Sequence, residues 1–168
     1  VVEWQHSAVY SSPLKRTMQV AQEISRVSGK PVKPVPGLQE LSLGDLEGVS
    51  GEEMRNDWPE VYAAWRDDPA TVCMPNGESL VQLQERTWSA LLELEQAHSQ
   101  TQTQDEALIL VSHNFAIRSM IGKILGMPLS NFHRMSLSLS SICTVDIDQR
   151  GRRLTSYNST SHLSPENR

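Results

Sequence analysis

Five apolar residues in a row, Ala107-Leu108-Ile109-Leu110-Val111, constrain this chain most. A strand with one face in water alternates polar and apolar residues, whereas an unbroken apolar run calls for cover on both faces. The run is too short for a buried helix. A helical pattern starts directly behind it, with Phe115, Ile117, Ile121, Ile124 and Leu125, and stops at Gly126 with Pro128 beyond. The run therefore reads as a parallel strand that feeds a helix.

The rest of the chain repeats that alternation. Ala8-Val9-Tyr10-Ser11 reads as a strand, followed by Ser12 at a helix N-cap and Pro13 at the first helical position. Leu14, Met18, Ala21 and Ile24 mark one helix face, which Gly29 and Pro31 end. Val32 to Val35 is a short strand whose Pro34 suits an edge. Ser50 and Glu53 have capping-box spacing for a short helix reaching Asp57, and a second short helix runs from Pro59 to Arg66. Ser79 with Gln82 opens a longer helix whose inner face is Leu80, Leu83, Thr87, Leu91 and Leu94. Ser99 to Gln104 is a polar surface loop, and Ser141 to Asp148 with Arg153 to Tyr157 is a β-hairpin through Gln149-Arg150-Gly151. Strands alternating with helices predict an α/β fold, a three-layer α/β/α sandwich around a mainly parallel sheet.

Composition removes several functions. With 168 residues and a formal charge of −5, the chain suits one domain that buries its own core. No apolar run approaches the roughly 20 residues that cross a bilayer, and no signal-peptide pattern opens the chain. Basic residues are scattered apart from Arg150, Arg152 and Arg153, a poor basis for nucleic-acid binding. Cys73 and Cys143 are the only cysteines and form no C-x-x-C, which points to a reducing, cytoplasmic compartment. His6, His98, His133 and His162 lack metal-ligand spacing, so neither a metal nor a cofactor is expected. Nucleotide phosphate loops, G-x-G-x-x-G and G-x-S-x-G are absent too.

Open parallel sheets bind ligands beyond the carboxyl ends of their strands. Three segments lie there: Ser11 to Arg16, Leu38 to Gly48, and Ser112 to Asn114. His113 and Asn114 open a helix, where outward N–H groups favour an anion; a local cap or a satisfied polar group is the better explanation of His113 from position alone. Arg16 sits in a first helical turn, which disfavours a cation unless an anion lies beside it; an exposed arginine like its neighbour Lys15 is the plain alternative. Glu40 is one acid among Glu40, Asp45 and Glu47, and by itself an ordinary loop residue. Glu78 fits a helix N-terminus, where a carboxylate complements the dipole.

Taken in order, these pieces resemble the histidine phosphatase, or phosphoglycerate mutase-like, superfamily. The matching residues are Val9-Tyr10-Ser11-Ser12-Pro13-Leu14-Lys15-Arg16-Thr17, then Leu38-Gln39-Glu40 with Leu43-Gly44-Asp45-Leu46-Glu47-Gly48. Asn76-Gly77-Glu78-Ser79 follows, then Val111-Ser112-His113-Asn114 with Ile117-Arg118, and finally Asn158-Ser159-Thr160-Ser161-His162-Leu163. The resemblance implies phosphate monoester hydrolysis of a small phosphorylated metabolite through a phosphohistidine. It makes Arg16 a phosphate-pocket cation, His113 the second pocket histidine with Asn114 beside it, and Glu40 the proton donor and later the base for water. A phosphoglycerate mutase or a non-catalytic phosphate-binding pseudoenzyme are the alternatives. Against the mutase, Leu41 to Gly77 is compact and lacks a basic cluster for a second phosphate.

One departure from the family pattern is large. No Arg-His-Gly occurs, and His6 in Trp4-Gln5-His6-Ser7 lies just ahead of the first strand. The family carries its nucleophilic histidine on a strand-loop-helix that comes earlier in the chain. We therefore expect residues 1–168 to be one domain lacking that unit, inactive and poorly folded alone. The segment Leu46 to Gly77, with Trp58, Tyr62, Trp65 and Met74, either covers the pocket or packs its own short helices.

Overall fold

The computed structural model describes residues 6–99, 107–164 and 166. Three strands and three helices alternate as expected: β1 (His6–Ser11), α1 (Lys15–Ser28), β2 (Val32–Pro34), α4 (Leu80–Ser99), β3 (Ala107–Val111) and α5 (Asn114–Ile124). Between β2 and α4 come α2 (Gly51–Asp57) and α3 (Pro59–Asp67). The chain closes on β4 (Ile142–Asp148) and β5 (Gly151–Ser159).

The chain divides into two compact units. The first comprises Val1–Glu40 and Glu85–Ala116. It holds a parallel sheet of order β2-β1-β3. Val9 pairs with Val32 on one side and Ile109 on the other, and Ser11 pairs with Pro34 and Val111. Val9, Ala21 and Leu38 are completely buried, and Thr87 is the buried polar member of the α4 face. Tyr10 donates or accepts at His98 Nε2 over 2.8 Å, joining β1 to the end of α4.

The second unit comprises Leu41–Gln84 and Ile117–Arg168, with Leu41, Leu46, Leu80, Leu83 and Phe132 at its core. Trp65 and His133 pack against Phe132, and the Arg118 guanidinium lies 3.8 Å over the Phe132 ring. The same arginine donates to Phe132 O at 2.7 Å, and His133 Nε2 donates to Trp65 O at 2.7 Å. Trp65 and the buried Met74 therefore serve packing. β4 and β5 form an antiparallel ladder, with β5 beginning already at Gly151.

Local signals in the sequence translate directly. Ser50 and Glu53 cap α2 reciprocally, at 3.2 Å and 2.8 Å. Ser79 and Gln82 do the same for α4. Four expectations need correction. Ser12 is not the N-cap of α1: the helix starts at Lys15 with Leu14 at the cap position, and the Ser12 hydroxyl accepts from Leu14 N–H at 3.3 Å while also bonding His113. His6 is the first residue of β1 rather than ahead of it. Leu125 lies beyond α5 and is exposed rather than part of its inner face. β3 is half-buried along its whole length rather than fully covered. Among the described residues it pairs only with β1, so its other edge carries no strand. Of the polar tract at 99–104, Ser99 ends α4 and the remainder lies outside the described residues.

Two glycines stitch the second unit. Asp45 N–H donates to Pro75 O at 2.9 Å, Glu78 N–H to Ser42 O at 2.8 Å, and Asn76 Nδ2 to Asp45 at 2.9 Å. Such closeness excludes side chains: a Cβ on Gly77 would sit 2.5 Å from Ser42 O, and one on Gly44 would collide with Pro75 O. Gly44 also has φ +56°, a region costly for other residues. Glu78, expected at a helix start, instead accepts from Ser42 N–H at 3.2 Å in this same stitch. Gly44→Ala should destabilise the fold by about 2 kcal/mol or more. Gly51→Ala, in open space, serves as the control. Urea midpoints measure both, and equal midpoints would contradict the stitch.

Candidate active site

Every expected site residue falls in the first unit. Parallel pairing is the cause. Ser12 N–H donates to Val111 O at 2.9 Å, so the residues just past β1 and β3 emerge side by side. His113 is there buried, 6% exposed, and its Nε2 lies 2.8 Å from Ser12 Oγ. Arg16, in the first turn of α1 and exposed, donates from Nε to His113 Nδ1 at 3.1 Å. A ring nitrogen that accepts from a guanidinium carries no proton. The His113 proton therefore sits on Nε2 and is donated to Ser12.

Electrostatics agree that the ring is neutral. Burial, then Arg16, then Arg86 push the His113 pKa from 6.5 down to about 4. The imidazole is neutral at physiological pH, poised beside a cation that faces solvent.

Glu40 approaches from the third strand end. Its Oε2 accepts from Phe115 N–H and its Oε1 from Ala116 N–H, both at 3.2 Å. The carboxylate thus occupies the start of α5, where unpaired N–H groups and the helix dipole favour a negative charge. Asn114 opens α5 immediately after His113. Among the described residues, the anion at this helix start is the protein's own carboxylate.

Sequence reasoning missed three members. Ser12, besides accepting from Leu14 N–H, is the hydrogen-bond acceptor of His113. Ser112 Oγ donates to Leu38 O at 2.7 Å. Arg86 donates to Gly37 O, Gln39 O and Glu40 O at 3.0, 2.9 and 2.7 Å. The available signal was Arg86's place on α4, three residues after Leu83 and four before Ala90, both buried. An arginine on that stripe needs polar partners. Among the described residues, no group of three or more histidine, cysteine, aspartate or glutamate side chains could hold a metal ion.

Comparison with known proteins finds similarity over most of the chain. The chain is 30% identical over 155 residues to phosphoserine phosphatase 1 of Hydrogenobacter thermophilus, covering 92% of this chain and 71% of that protein. It is 36% identical over 116 residues to phosphoglycerate mutase-like protein 4 of Arabidopsis thaliana, covering 68% of this chain and 48% of that one. A mycobacterial glucosyl-3-phosphoglycerate phosphatase solved with inorganic phosphate superposes with a TM-score of 0.84 at 25% identity, over 95% of this chain and 80% of that one.

The low His113 pKa gives a stability profile. Because its folded pKa lies below the unfolded value, the unfolded state binds more protons between the two. Stability should thus fall as pH drops from about 6.5 to about 4, by on the order of 2 kcal/mol. Urea midpoints at pH 7 and pH 4.5 check this, and His113→Gln should show the smaller loss. Parallel losses in both proteins would remove His113 as the cause. The family model for the histidine phosphatase superfamily (branch 1) matches residues 1–160, and the chain belongs to that family, with its phosphoglycerate mutase-like α/β fold.

Proposed function

We propose that this chain is the greater part of an enzyme that hydrolyses phosphate monoesters of small metabolites through a phosphohistidine. The observation that carries the reading is the cluster at the strand ends. A solvent-facing Arg16 is bonded to a neutral, buried His113, and the Glu40 carboxylate rests on the helix that His113 precedes. A fixed guanidinium and an imidazole side by side suit the oxygens of a phosphoryl group, with Asn114 adjoining.

The nucleophile comes from a segment outside these 168 residues, and the edge of β3 that pairs with no strand among the described residues offers a ladder for the strand that bears it. The histidine nitrogen attacks phosphorus and the P–O bond to the alcohol breaks. Arg16 and His113 bind the equatorial oxygens, and Glu40, whose carboxylate takes up a proton from solvent as the phosphate dianion binds beside it, gives that proton to the leaving oxygen. Water then attacks the phosphohistidine and loses its proton to Glu40; the N–P bond breaks and inorganic phosphate departs. No step calls on a metal or a cofactor.

A mutase is the second reading, since one similar protein carries that name. Leu41 to Gly77 offers no basic cluster for a second phosphate, which favours the hydrolase. Release of inorganic phosphate, compared with isomerisation of phosphoglycerate, separates the two.

General acid–base help is worth about 10² to 10⁴ in rate. Glu40→Gln in the full-length enzyme should lose turnover on that scale against an alkyl phosphate while Km changes little. Arg16→Ala should raise Km as well as lower kcat, because it removes a phosphate ligand. Steady-state phosphate release measures both. Undiminished turnover in Glu40→Gln would remove it from the donor role, and an 18.8 kDa chain of these residues alone with robust turnover would refute an external nucleophile.

A further inference from the structure

We propose that Arg86 is the positioning residue for the Glu40 proton donor, a role that rests on the phosphatase reading above. Four consecutive carbonyls lead to and include Glu40, and each is taken. Arg86 holds those of Gly37, Gln39 and Glu40, and Ser112 Oγ holds that of Leu38. Beyond the short 3-10 turn at Pro36–Leu38 the segment has no regular structure of its own. Its backbone position is therefore set by these side chains and not by a ladder or helix.

The geometry needs a guanidinium. One Arg86 terminal nitrogen spans Gly37 O and Gln39 O while the other reaches Glu40 O. A planar fork does this with fixed angles, whereas a lysine ammonium is a single point with a flexible stem. The segment must also lie close against α4. A Cβ on Gly37 would stand 2.7 Å from Ala90 Cβ and 3.1 Å from Arg86 O, so the absence of a side chain at Gly37 lets the carbonyls approach the guanidinium. The result is a rigid path from α4 to the Glu40 main chain, with the carboxylate held at its other end by Phe115 and Ala116 N–H.

Arg86 touches no reacting atom in this scheme. It sets where the carboxyl stands, and a displacement near 1 Å in such a group can cost about 10²-fold. That yields a signature which a merely structural role lacks. Protonating the leaving oxygen matters for an alkyl phosphate and hardly at all for p-nitrophenyl phosphate, whose phenolate departs unaided. The ratio kcat/Km reports the first phosphoryl transfer.

The experiment compares full-length wild type, Arg86→Gln, Arg86→Lys and Glu40→Gln on an alkyl phosphate and on p-nitrophenyl phosphate, with melting curves for each. For Arg86→Gln, kcat/Km on the alkyl phosphate should fall about 10- to 100-fold and that on p-nitrophenyl phosphate by less than about threefold. Glu40→Gln should show the same split more strongly. Arg86→Lys, which keeps the stem and the charge against α4, should fall between, and it is read if Arg86→Gln does not fold. Equal losses on both substrates, or no loss on either, overturn the positioning role. A Glu40→Gln variant without the split overturns the donor reading itself, and is distinguished by arising in that variant whatever Arg86 does.

Discussion

The pairing of β1 with β3 holds the candidate site together. Ser11 lies opposite Val111, and one further hydrogen bond, Ser12 N–H to Val111 O, carries the register past the strands. That places Ser12 under His113, and the first turn of α1 then brings Arg16 to the same imidazole. A slip of one residue would turn the alternating side chains to the opposite face and separate all three. The chemistry at the strand ends thus depends on a backbone ladder whose own residues, Val9 and Ile109 among them, are apolar and unreactive.

Charge is arranged around that frame with little freedom. A histidine buried beside two guanidinium groups remains neutral, and its tautomer is set by which neighbour can accept a proton. The acid is placed by main-chain groups at both ends: carbonyls of its own segment clasped by Arg86, and N–H groups of α5 around its carboxylate. Such groups cost nothing to reorganise when a substrate arrives, which is the physical meaning of a preorganised site.

How much of this was legible depends on sequence separation. The helix caps at Ser50 and Ser79 and the inner face of α4 were readable because their partners lie three or four residues away, within one helical turn. Arg16, Glu40 and His113 could be nominated from strand ends, since open parallel sheets put ligands there. Ser12 was misread for the opposite reason. A serine before a proline has the local form of a cap, and its hydroxyl does take the Leu14 N–H, yet it also serves a histidine 101 residues away. Arg86 and the Gly44–Gly77 stitch were silent likewise, since nothing near them in the chain announces partners dozens of residues off. The apolar run of β3 told its strand identity correctly, but its cover depends on neighbours, and among the described residues only β1 pairs with it.

Residue pattern alone carries the alternation of strand and helix, the family to which the motifs belong, and the three places where chemistry could sit. These follow from periodicity and capping, which act over a single turn or a single pleat. Tertiary structure alone decided the rest. It decided that His113 keeps its proton on Nε2, that Ser12 is its partner, and that Arg86 fixes the backbone of Glu40. Each of those results from burial and long-range approach, and hydrogen bonds between residues far apart in the chain exist only once the sheet has brought them together.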